Sequence, residues 1–264
     1  MNEIKRQLNQ PGGSRLDPDM VARRLQLIID GPTAAPAGSM SPEQARDIMG
    51  SACHGTDALE RQLGTRLLAN EAAQLATVPF SREVLIESRQ THVLVASARM
   101  SIMGLRVKAP DAFYFTRTWY ADEEFARREL KPRWRLIRKD PVPRSTSKTW
   151  AKQQAVLSAD EITPEIGELV LAIILHYLET GERLFSTVYV RSSDVDSAGR
   201  RVGAGRFGPD GLRIRSWGDY PDYYIGVAGV RKSSWDRGSS ASAIARRGER
   251  DRRSAGMRLS RNSS

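Results

Sequence analysis

The stretch TPEIGELVLAIILHYLETG, Thr163 to Gly181, constrains this chain more than any other. It is apolar on nearly every side of a helix, not along one stripe, so protein must surround it. It is shorter than the ~20 apolar residues needed to cross a bilayer, and it carries Glu168. Thr163 is expected to cap it, Pro164 to fill its first position and Gly181 to end it. A central buried helix with strand-like runs on either side predicts an α+β fold.

The chain has 264 residues, 40% of them hydrophobic, enough for one large domain or two small ones. Its one cysteine, Cys53, cannot form an internal disulfide. The first residues, MNEIKRQLNQPGGS, contain no apolar run of the kind a secretory signal needs. A cytoplasmic protein without a membrane partner is expected.

Residues 1–16 are expected to be a flexible N-terminus and residues 17–90 a helical segment. In the latter, Asp17-Pro18 opens one helix and Ser41-Pro42-Glu43-Gln44 opens a second with a capping box. Leu59, Leu63, Leu67 and Leu75 suggest a longer helix over 56–77. Residues 91–232 are expected to be the α+β domain. There THVLVAS, DAFYFT and PRWRLIRKD read as strands, the last with Arg133, Arg135 and Arg138 exposed. YADEEFARREL and STSKTWAKQQAVL read as helices. After the buried helix, STVYVRS, RRVGAGRF, GLRIRSW and YYIGVAGV read as an antiparallel meander, so the sheet is mostly antiparallel. Residues 233–264 are rich in Ser and Arg and are expected to form a disordered basic tail.

GAGRFG, Gly203 to Gly208, has the G-x-G-x-x-G spacing of phosphate-binding loops. In dinucleotide folds that loop opens a helix. Here Pro-Asp-Gly and the strand-like LRIRSW follow, so a hairpin is expected. Kinase motifs are missing, and only 56 residues follow Gly208. DVDSAG, from Asp194, resembles the start of a calcium loop but has Ala198 and Gly205 where ligands belong. STSK, Ser145 to Lys148, lacks the companion motifs of serine acyl enzymes. One cysteine and three scattered histidines make no zinc spacing. His176 is expected to be a hydrogen-bonded core residue. No catalytic residue, metal or cofactor is expected.

The charge balance is distinctive: 41 Lys and Arg against 31 Asp and Glu. Between Arg127 and Lys148 nine basic residues stand against two acids; between Ser233 and Ser264 eight arginines stand against three. Clustered cations near Trp119, Trp134 and Trp150 suit phosphate backbones and stacked bases. The alternative is that the strand arginines pair with acids of neighbouring helices. The leading expectation is a non-enzymatic DNA- or RNA-binding protein. Its phosphate contacts would be Arg133, Arg135, Arg138, Lys139, Arg144 and Lys148, with Arg246, Arg247, Arg252 and Arg253 in the tail. A protein-interaction or scaffold module with another protein as partner is the second reading. An enzyme built from residues distant in sequence is the third.

YLETGERLF followed by YVRSSDVD resembles the tyrosine recombinase segment carrying a first catalytic arginine, which would be Arg183. That family also needs a His-x-x-Arg box and a tyrosine nucleophile downstream, and all three histidines here lie upstream. The span KPRWRLIRKDPVPRSTSKTW through YLETGERLF to GVRK, about residues 91–232, is similar to a bacterial protein family with no assigned activity. That resemblance implies one structural unit.

Overall fold

In a computed structural model of the protein, residues 38–114, 118–234 and 236 are described. The fold is α+β: helices and two mixed, mostly antiparallel sheets. The expectations for residues 1–37 and for the tail beyond Asp236 lie outside the described residues.

Four short helices come first: α1 (Pro42–Met49), α2 (Thr56–Leu63), α3 (Ala69–Leu75) and α4 (Arg82–Ser88), with strand β1 (Cys53–His54) between α1 and α2. The capping box at α1 forms as expected, with Ser41 Oγ accepting from Gln44 N and Gln44 Oε1 accepting from Ser41 N. The single helix expected over 56–77 is two. Gly64 ends α2 in the left-handed conformation, and its N–H closes back onto Glu60 and Leu59.

The first sheet has the order β1-β2-β3-β9-β4. Its strands are β2 (His92–Ser97), β3 (Arg133–Arg138), β4 (Glu161–Ile162) and β9 (Val230–Arg231), with β1 parallel to β2 at one edge. β2 and β3 are antiparallel, with Leu94 opposite Leu136. Between them run α5 (Ile102–Lys108) and the four-residue α6 (Glu124–Arg127). DAFYFT is not a full strand in its described part: Phe113 makes an isolated parallel bridge to Leu212.

The second sheet has the order β7-β6-β5-β8, from β5 (Tyr189–Val195), β6 (Arg201–Gly208), β7 (Gly211–Trp217) and β8 (Ile225–Val227). The meander holds through β5, β6 and β7. It then breaks: β8 pairs parallel to β5, and the next strand, β9, joins the first sheet. Residues 203–208 are β6, followed by the turn into β7, so the glycine motif is a hairpin. Gly205 has φ +148, and a Cβ there would collide with the Val188 carbonyl.

Helix α8 (Ile166–Thr180) touches β1, β2 and β3 of the first sheet and β5 and β6 of the second. Every residue from Ile166 to His176 is buried. Leu169, Val170, Leu171, Ile173, Ile174 and Leu175 are each at most 1% exposed. Each such side chain contributes about 1.5–3 kcal/mol relative to exposure. Its N-cap is Glu165, two residues later than expected, because Glu168 reaches back to the Glu165 N–H. Gly181 ends it as expected, at φ 76. Helix α7 (Trp150–Gln154) is shorter than the expected helix. The helical segment and the strands that follow share one core, since β1 belongs to the first sheet and α2 packs on α8.

Candidate nucleic-acid interface

Six of the ten expected phosphate contacts fall within the described residues, and four of those six meet carboxylates. Arg133 pairs with Glu168 and lies 3.3 Å from Glu165. Arg135 donates to Glu168 at 2.6 Å and to Asp236 at 2.9 Å. Arg138 pairs with Glu161, and Lys139 lies 3.8 Å from Glu182. Arg135, expected on an exposed face, is only 5% exposed. The reason is position: β3 lies in the middle of its sheet, and alternation along a strand does not report what covers its second face. Burial works against the Arg135 charge, but Glu168 and Asp236 outweigh it and raise the pKa. Arg144 is exposed and Lys148 half-buried, and neither has an ion-pair partner among the described residues. Arg246, Arg247, Arg252 and Arg253 lie outside the described residues.

A second group of cations lies on the β6–β7 hairpin. From Arg200 to Trp217 there are five arginines and one acid, Asp210. Leu212 and Ile214 of β7 turn into the core, so Arg213 and Arg215 project on the other face, opposite Gly205 and Gly203. With no side chains at those glycines, Tyr189 of β5 and Trp217 of β7 meet across β6, ring centroids 4.7 Å apart. Arg200 pairs with Asp196, and Arg213 with Asp210. Arg201, Arg206 and Arg215 have no carboxylate partner among the described residues.

Three of these guanidinium groups lie over aromatic rings. Arg201 is 4.1 Å from the Trp150 centroid, Arg213 4.4 Å from Tyr114 and Arg206 5.2 Å from Tyr224. Such stacking is worth about 0.5–1 kcal/mol at exposed sites. It orients the guanidinium plane and leaves its edge able to donate to phosphate oxygens.

Along the outer edge of β7 is a cavity of about 310 Å³, walled by Tyr114, Trp119 and Tyr120 and by Arg200, Arg213 and Arg215. The preceding segment closes on this edge at two points, one through the main chain and one through a side chain. Tyr114 N donates to Leu212 O at 3.0 Å, and Trp119 Nε1 to Ile214 O at 2.9 Å. Arg106 of α5 steadies the wall, donating to the Tyr120 hydroxyl and the Tyr114 carbonyl, both at 3.1 Å.

The other described groups that the sequence singled out are placed as follows. Cys53 is buried, which pushes its thiol up to about 11 and removes its reactivity. Cys53 and His54 form the short strand β1. His176 is the hydrogen-bonded core residue expected, lying between His54 and Glu182. Ser145 is buried, and its hydroxyl accepts from Val227 N. Asp196 accepts from the Ala198 and Arg200 amides, which makes DVDSAG a turn. Arg183 stacks on Tyr177 and Phe207. No described group of three or more His, Cys, Asp or Glu could hold a metal ion. No described helix is long and apolar enough to cross a membrane.

No family model, curated protein or solved structure matches this chain. The fold and the hairpin therefore define no more than an α+β protein with an arginine–aromatic surface. Reading charge by sequence windows missed that surface because the hairpin carries five arginines and the β3 region nine basic residues. Two signals were available. Glu165 and Glu168 open a helix that must be buried, so cations have to meet them. RIR and RVGAGR place their arginines beside residues that must face inward.

Proposed function

We propose that the protein binds nucleic acid without acting as an enzyme, through the arginines of the β6–β7 hairpin and not through those of β3. One observation carries this reading: Arg201, Arg206 and Arg215 share a hairpin and have no carboxylate partner among the described residues, and Arg201 and Arg206 lie over aromatic rings. Guanidinium groups suit phosphate because their planar forks donate two parallel hydrogen bonds. Adjacent aromatic rings add a stacking surface that tolerates any base. Binding of this kind depends on salt, because each phosphate contact releases a counterion.

The test is titration of labelled oligonucleotides at several salt concentrations with the wild type and with Arg206→Glu/Arg215→Glu. The double variant should bind more weakly, and its slope of log K against log salt should flatten by about 0.7–0.9 per lost contact. Arg46→Glu/Arg127→Glu, at exposed sites paired with Asp57 and Asp122, is the charge-matched control and should change affinity less. Equal affinity of the wild type and the hairpin variant defeats the reading.

A second reading, contact with another protein, draws on the exposed Tyr220, Tyr223 and Tyr224. Tyrosine is enriched where partners bury surface. A partner retained after nuclease treatment and in high salt would favour it.

A further inference from the structure

The cavity beside β7 has a composition that phosphate binding alone does not require. Arginines and aromatic rings line it together, and of those rings Trp119 is the most open to solvent, at 38% exposure. The single polar atom of Trp119 is already used, since Nε1 donates to the Ile214 carbonyl. What remains for a ligand is the exposed part of the indole, which Tyr120 and Phe125 leave uncovered. Tyr120 stands edge-on to that indole, centroids 5.7 Å apart and planes at 89°, and its buried hydroxyl is held by Arg106. Tyr114 lies under Arg213. The wall is thus fixed before any ligand arrives, which lowers the ordering cost of binding.

The geometry points to a nucleobase pocket: Trp119 stacks one unpaired base while Arg215, which has no carboxylate partner among the described residues, holds a flanking phosphate, which makes the ligand single-stranded nucleic acid. This rests on the nucleic-acid reading above and narrows it. A volume of about 310 Å³ lies at the small end of the ~300–1,000 Å³ range of ligand pockets, suited to one base and its sugar. A base paired inside a duplex has no open π face to offer, so a duplex can engage the arginines but not the indole. DNA and RNA share this chemistry, because the contacts are to base faces and phosphates.

The experiment compares four labelled probes against the full-length protein at one salt concentration. They are a 12-nucleotide oligothymidine, the same backbone made of abasic residues, a 12-base-pair duplex and a 12-nucleotide oligouridine. The abasic probe keeps the phosphates and removes the bases, so it separates the two claims without a variant. Oligothymidine and oligouridine should bind about tenfold more tightly than the abasic strand, the effect of losing a stacked base. Trp119→Ala should abolish that gap and Trp119→Phe should keep most of it. Equal binding of thymidine and abasic strands, or a preference for the duplex, overturns the base pocket while leaving phosphate binding in place. If none of the probes binds, both claims fail.

Discussion

His54 Nε2 lies 2.8 Å from His176 Nδ1, inside the core, although 122 residues separate them. His176 Nε2 in turn lies 2.9 Å from the Glu182 carboxylate. A carboxylate accepts hydrogen bonds, so His176 carries its proton on Nε2 and presents a lone pair at Nδ1. His54 therefore donates from Nε2, which leaves its Nδ1 as a buried acceptor with no described partner. Protonating either ring would place an N–H against another N–H or against nothing. The chain of contacts holds both imidazoles neutral.

That arrangement makes stability depend on acid. Burial lowers the His54 pKa to about 4, with the His176 ring adding to the effect; burial also lowers His176 and His92. An unfolded histidine titrates near ~6.5. Above that pH both states are neutral and stability is complete. As pH falls from 6.5 towards 4, the unfolded chain takes up protons that the folded chain refuses, so stability drops. His54 alone contributes about 3 kcal/mol to that loss. Below pH 4.5 Glu161 adds a second loss. Burial would raise its pKa, but His92, Arg138 and Ser158 hold it at about 2. Thermal unfolding at pH 7.5, 6 and 5 should show Tm falling, with a shallower fall in His54→Gln. A Tm that is flat over this range would refute the neutral pair.

Arg191 is 0% exposed and has no carboxylate partner among the described residues. Its guanidinium donates to the Lys148, Gly218 and Tyr220 carbonyls and to Gln153 Oε1, at 3.0–3.3 Å. It therefore binds α7 and the β7–β8 connection to β5 through neutral dipoles. Arg191→Met would leave the Lys148 and Tyr220 carbonyls and Gln153 Oε1 without that donor, while Gly218 O keeps Tyr220 N, and should cost about 3 kcal/mol or more, read from urea unfolding. It should also loosen the support of Trp150 beneath Arg201. A loss below 1 kcal/mol would mean that these loops hold their positions unaided.

Glu168 accepts from Arg135 and pairs with Arg133 while capping its own helix. Removing it strands Arg135 in the core with Asp236 as its remaining carboxylate. Glu168→Ala should cost about 3–5 kcal/mol, the usual price of an uncompensated buried charge. Adding Arg135→Met should recover part of that loss, because two apolar side chains need no solvation. Strictly additive losses in the double variant would show that the pair is not coupled.

Much of the architecture was legible from local chemistry. The burial of α8, the Gly181 stop, the Ser41 capping box and the β6–β7 hairpin each depend on residues a few positions apart. Interruption of the 56–77 helix was also local, since Gly64 was there to be read, but the leucine spacing hid it. The charge assignment was less accessible. Arg135 meets Glu168 from 33 residues away and Asp236 from 101. A window of sequence counts these cations without counting the anions that cancel them.

By itself, then, the sequence determined that α8 must be enclosed, where α1 begins and α8 ends, and that residues 201–217 form a hairpin, because backbone preference and apolar periodicity act over a few residues. Only the tertiary structure decided which arginines stay available. Neutralisation depends on distances of a few ångströms between groups far apart along the chain, and packing around α8 sets those distances. It gave the β3 cations carboxylates, and left Arg201 and Arg206 over aromatic rings and Arg215 without a carboxylate partner among the described residues.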